Sequence, residues 1–140
     1  MSMVYWANCL ADGVVTSDAS DKYALFKHTD KLDSVCRASG LTPFSEICDS
    51  TDMRFNVDDT ELPEGMQSTD ELMAQDGVWI EGKRAAEMLE KLLANIKSNE
   101  IRFGLLKNDH DDVVAELEES IAFAKDAADK GAMFNFSIVM

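Results

Sequence analysis

Basic residues are scarce in this chain: 13 lysines and arginines stand against 27 aspartates and glutamates, a formal net charge of −14 over 140 residues. Binding a phosphate backbone or an anionic lipid surface normally requires Lys and Arg to replace condensed counterions, so the shortage argues against direct nucleic-acid binding and against a membrane partner. Cysteine is scarce as well. Cys9, Cys36 and Cys48 are odd in number, widely spaced and without a CxxC pair, which argues against a zinc or redox site and leaves them as reduced, mostly buried thiols. No apolar run approaches the length of a membrane span, and the opening Met-Ser-Met-Val-Tyr-Trp has neither the basic region nor the apolar stretch of a signal peptide. A reducing cytoplasm is the expected location. Catalytic and cofactor signatures are missing too: there is no GxSxG, P-loop, dinucleotide fingerprint, EF-hand loop or HExxH, and no cofactor is expected.

Composition is otherwise that of a globular protein, with 46% apolar and 29% charged residues. A chain of this length fits one domain, 1–140, which buries roughly two-thirds of the surface its unfolded chain exposes. The periodicities divide into short and long repeats. Met3 to Leu10 is apolar on both faces and reads as a central strand, with Val14-Val15 continuing or pairing with it after the turn signal Ala11-Asp12-Gly13. Leu25, Leu32, Val35 and Cys36 predict a first helix from the capping serines around 17–20 to Gly40. Thr42-Pro43 opens a short helix to about Cys48.

Met53, Phe55 and Val57 alternate with polar residues and predict a half-buried strand. Ser68-Thr69-Asp70-Glu71 matches a capping box, predicting a short helix to about Gln75. The last third is the most legible. Ala85, Leu89, Leu92, Leu93 and Ile96 form one helical stripe over 83–98, and Val113, Leu117, Ile121, Ala124 and Ala128 form a second over 109–130. Phe134, Phe136, Ile138 and Met140 alternate in a final strand whose apolar face needs a cover, so it should pair near the N-terminal strand beneath the long helices. The expected class is α+β: a small sheet holding both terminal strands, packed against two long amphipathic helices and shorter ones.

Function is signalled only by charge. Nine acids and a single base, Arg54, lie between Asp49 and Asp76, placing net −8 in 28 positions. A loop this acidic is often just a solvated face. It also offers a steering field for a basic partner, and Asp49, Asp52, Asp58, Asp59, Glu61, Glu64 and the neighbouring Trp79 are the candidate binding residues. The leading expectation is a noncatalytic bacterial-type protein that masks a basic surface of another protein, by analogy of size and charge with immunity proteins and small inhibitors.

The second reading is a metal-assisted hydrolase. It would combine carboxylates from 49 to 52 with Asp109, His110, Asp111 and Asp112, although acids there also suit the start of a helix. It requires the two groups to converge. A homodimer joined through the long helices or the terminal strand is the third.

Overall fold

The computed structural model describes residues 3–58 and 61–140. Strand β1 (Val4–Ala11) turns back through Asp12-Gly13 into β2 (Val14–Ser17), with Ala11 opposite Val14. Both turn residues have positive φ, 52° and 77°, in the two-residue turn that Asp-Gly favours because its twist matches the flanking strands. The other edge of β1 pairs along its length with a strand from the far end of the chain, joining Val4 to Val139 and Leu10 to Met133. Both terminal strands therefore lie at the centre of the sheet.

Between them come α1 (Tyr23–Lys27), α2 (Thr29–Ala38), a single 3-10 turn (Phe44–Ile47), β3 (Cys48–Asp49), α3 (Thr51–Asp58), α4 (Thr69–Asp76), β4 (Ile80–Glu81), α5 (Gly82–Ser98) and α6 (His110–Asp129), before β5 (Met133–Val139). β3 runs parallel to β5 beside Phe136 and Ser137, whereas β4 runs antiparallel beside Phe134 and Met133. The two short strands share one edge of β5. The architecture is α+β, and no helix among the described residues is long and apolar enough to cross a membrane.

The two sheet faces have different chemistry. One presents Tyr5, Ala7, Phe134 and Phe136 to the stripes of α5 and α6, where Leu89, Leu92, Ile96, Val113 and Leu117 are fully enclosed. Four rings interlock there: Phe136 lies 5.1 Å from Phe44, 5.2 Å from Phe134 and 5.7 Å from Tyr5 between centroids. The opposite face is polar beneath α4. Asn8 donates to both Asn135 Oδ1 and Ser137 Oγ at 2.9 Å, and Asn135 donates to the Val78 carbonyl at 2.7 Å. Enclosed amides and hydroxyls cost little only when so partnered.

Three local expectations need correction. The first helix is two helices, broken at His28, where φ is −108° and ψ is 24°. The Thr29 hydroxyl turns back to the carbonyls of Leu25 and Phe26 while His28 is drawn toward α6. The segment after Thr42-Pro43 makes only one 3-10 turn, stapled by Asp33, whose carboxylate accepts from both the Ser45 amide and the Ser45 hydroxyl. The expected strand at 53–57 is the middle of helix α3. Its five-residue alternation is too short to decide the period.

One cation is fully enclosed. Lys22 reaches Asp18, the Ser20 carbonyl at 3.0 Å and Glu119 at 3.2 Å, tying the chain ahead of α1 to α6. Glu116 adds a second tie, accepting from the amides of Ala24 and Leu25 at the start of α1. Burial pushes its carboxyl above the usual range, although those amides oppose the shift.

Candidate functional site

The acidic segment forms the layer of α3 and α4 on the polar side of the sheet. Helix α3 buries only Thr51; Met53 and Phe55 are half-buried and Val57 is exposed. Helix α4 buries only Met73, and its N-terminus carries the expected cap, with Ser68 Oγ accepting from the Glu71 amide. The reciprocal bond is displaced by one residue, since the Glu71 carboxylate accepts from Gln67 rather than Ser68. Between the two helices opens a cleft of about 300 Å³ lined by Thr51, Arg54, Phe55, Asp58, Leu72 and Asp76. Its walls are apolar at Phe55 and Leu72 and carry carboxylates at Asp58 and Asp76.

The candidate residues separate into two groups. Asp58, Glu61 and Glu64 are exposed, as are Asp70, Glu71 and Asp76 of the same segment. Asp59 lies outside the described residues. Asp52 is half-buried and internally engaged, accepting from Thr69 at 2.7 Å and Asn56 at 3.2 Å.

Asp49 contradicts the expectation of a surface contact. It is 1% exposed, and its two oxygens accept from the amides of Thr51 and Val78, both at 2.9 Å. The carboxylate joins the start of α3 to the strand entering β4, so its charge is held inside. Trp79 is half-buried, with its indole N–H donated to the Met73 carbonyl at 2.9 Å. That carbonyl also accepts from Gly77, so Trp79 fastens the end of α4 and does not line the cleft.

A smaller cleft of about 80 Å³ lies between α4 and the sheet, bordered by Trp6, Asn8, Asp52, Thr69, Asp70 and Ser137 among others. Burial, with the neighbouring charge of Asp52, pushes the Asp70 carboxyl upward. Asn8 and Thr69 here were not candidates from sequence. Their only signal was position, and that emerges once the elements are packed.

The second acidic group resolves differently. Asn108 or Asp109 can cap α6 by residue type, and the Asp109 side chain makes no cap bond. It is buried and turns to α1, where His28 Nε2 lies 2.8 Å and Lys27 Nζ 3.2 Å from Oδ2, with Lys107 Nζ 3.8 Å from Oδ1. Asn108, one residue before the cap position, supplies the acceptor, its Oδ1 taking the amides of His110 and Phe103. His110 Nδ1 is 2.6 Å from the Ile101 carbonyl and so carries its proton there. Asp111 and Asp112 are exposed in the first turn of α6, where they complement its dipole.

Asp49 is committed to its own loop and Asp109 to α1. Among the described residues no group of three or more His, Cys, Asp or Glu side chains is arranged to hold a metal ion. Among the described residues the two acidic groups form no shared cluster of this kind. Nor are Cys36 and Cys48 poised as nucleophiles: burial pushes Cys36 up to about 11 and raises Cys48 as well, and Cys48 Sγ faces inward toward the Phe44 carbonyl.

The hydrogen bond from His28, followed by that from Lys27, holds the Asp109 carboxyl below the usual range despite some opposing desolvation. A depressed folded-state value stabilises the protein above the unfolded carboxyl value of about 3.9 and ceases to do so as pH falls through the lower, folded value. Urea midpoints of the wild-type protein and Asp109→Asn should differ by a constant amount above about pH 5 and converge below about pH 4. A gap that persists unchanged into acid would show that the carboxylate's charge is not what matters.

The fold and cleft define an α+β protein with an acidic-rimmed surface groove, and comparison with protein-family models, curated proteins and solved structures returned no match.

Proposed function

We propose that the chain is a noncatalytic protein-binding domain whose α3–α4 layer masks a basic surface of another protein, in the manner of an immunity or inhibitor protein. The observation that supports this is the α3–α4 cleft. Phe55 and Leu72 provide an apolar floor, Asp58 and Asp76 stand at its rim, and Glu61, Glu64, Asp70 and Glu71 are exposed along the same segment. Gathering like charge costs self-repulsion that a cationic partner relieves, and the same field raises the association rate. The apolar floor then supplies affinity that screened charge alone does not. Asp49 and Trp79 support the layer from behind. Three unpaired thiols suit a reducing compartment, and we place the protein in the cytoplasm.

The test is affinity capture from the native host with the wild-type protein and with Asp58→Lys/Glu61→Lys/Glu64→Lys/Asp76→Lys. A basic partner should be retained by the wild type and reduced by roughly tenfold or more in the variant, equivalent to about 1.4 kcal/mol at the interface. Rising ionic strength should weaken capture by slowing association. Equal recovery by a folded charge-reversed variant would remove the cleft as the interface.

A further inference from the structure

The chain carries one element with the chemistry that this cleft would recognise. Between α5 and α6, Leu105 and Leu106 are 96% and 102% exposed, the two most exposed large apolar side chains among the described residues. They are held out by a bonded loop. Arg102 donates from Nε to the Gly104 carbonyl at 2.8 Å and from a terminal nitrogen to the Leu105 carbonyl at 2.9 Å. Gly104 has φ of 107°, and a Cβ there would stand 2.3 Å from the Lys107 carbonyl oxygen, so the turn is tight and needs glycine. Phe103, fully buried against His28, and Asp109, bonded to His28 and to the Phe103 carbonyl, anchor the base of the loop on α1. The apolar tip is thus preorganised and bracketed by Arg102 and Lys107, while Glu100, Asp111 and Asp112 lie at the loop's outer ends.

We infer that this tip docks into the α3–α4 cleft of a second copy of the chain, joining copies head to tail. The inference rests on the cleft being the binding site for a basic partner. Chemistry matches on both sides: Leu105 and Leu106 meet Phe55 and Leu72, and Arg102 and Lys107 meet Asp58 and Asp76, with Arg54 the only cation among the described lining residues. A chain cannot fill its own cleft in this way. Its tip belongs to the α5–α6 side of the sheet, and its cleft lies with α3 and α4 against the face of Trp6, Asn8 and Ser137. The contact therefore uses two different patches and, unless the rotation closes, extends as an open chain. A basic partner would compete for the same cleft and disperse the assembly.

Sedimentation velocity on the full-length protein across a concentration series tests this, with Leu105→Ser/Leu106→Ser and Asp58→Lys/Asp76→Lys as variants at exposed positions. The wild type should gain mass with concentration, by roughly twofold or more, and lose it in high salt. Each variant alone should stay monomeric. Their mixture should give 1:1 dimers and nothing larger, because one retains only a cleft and the other only a tip. A wild type that remains monomeric at every concentration overturns the inference, as does self-assembly by the cleft variant alone. Co-sedimentation of the wild type, but not the leucine variant, with phosphatidylserine vesicles in the absence of self-assembly would assign the tip to a membrane instead. Retention of a basic host protein by a monomeric wild type would leave the cleft reading intact while ending this one.

Discussion

Truncating Phe136 to alanine should lower the unfolding free energy by about 3–5 kcal/mol, the range for large aromatic-to-alanine changes in a closed core. The side chain is fully buried and touches three other rings, from β1, from the turn before β3 and from its own strand. Its backbone also pairs on both sides, with Ala7 of β1 and Cys48 of β3. The cavity would therefore open where the sheet, its edge strand and the helical layer meet, and neighbours pinned by strand pairing have little freedom to collapse into it. For a domain whose total stability is typically about 5–15 kcal/mol, that is a large share. Urea unfolding followed by circular dichroism reads it directly, as a lower midpoint at unchanged slope. A loss below about 1 kcal/mol would mean that the ring cluster is not closed around it. Phe123 provides the contrast: it is half-buried and 6.5 Å from Phe134, so its truncation should cost visibly less.

The next largest effect is expected at Asp49. Removing its carboxylate in Asp49→Ala strands the amides of Thr51 and Val78, at a cost of about 2–5 kcal/mol for two donors that lose a charged acceptor. Asp49→Asn keeps one acceptor oxygen and should fall between the alanine variant and the wild type. Because the carboxylate is 1% exposed, neither change should alter partner capture at temperatures where the variant is folded, in contrast with charge reversal at Asp58 and Asp76. Thermal melts paired with capture separate the two roles. If Asp49→Ala melts with the wild type yet loses a partner, Asp49 is an interface residue after all and the buried staple has been misassigned.

Legibility followed the length of each pattern. The stripes of α5 and α6 repeat over about three to four turns, long enough for the helical period to stand out, and the predicted extents agree with the helices to within a residue. The terminal strands were legible because apolar residues cover both faces of β1 and alternate in β5, leaving the sheet centre as the place where both can be buried. Asp12-Gly13 and Ser68 were read correctly because turn and cap chemistry act over two or three residues. Met53 to Val57 is helical where its alternation predicts a strand, because five residues fit either period. The break at His28 left no mark in the stripe, and the carboxylate that His28 meets there lies 81 residues further along the chain.

For the site, the concentration of charge was visible and its disposition was not. Composition and spacing determined the net −14, the acidic segment, the two long helices and the terminal strands, because each depends on residue type or on neighbours within a few positions. Tertiary structure decided which carboxylates face water. Asp49 and Asp58 belong to the same acidic run, yet one is enclosed, with packing bringing the Val78 amide to 2.9 Å, and the other is exposed and lines a cleft. The same is true of Leu105 and Leu106, ordinary apolar residues in sequence, exposed because the connection between α5 and α6 leads away from the core. A side chain's charge or apolarity is local, but its burial depends on atoms delivered by distant parts of the chain, and only the folded arrangement specifies those.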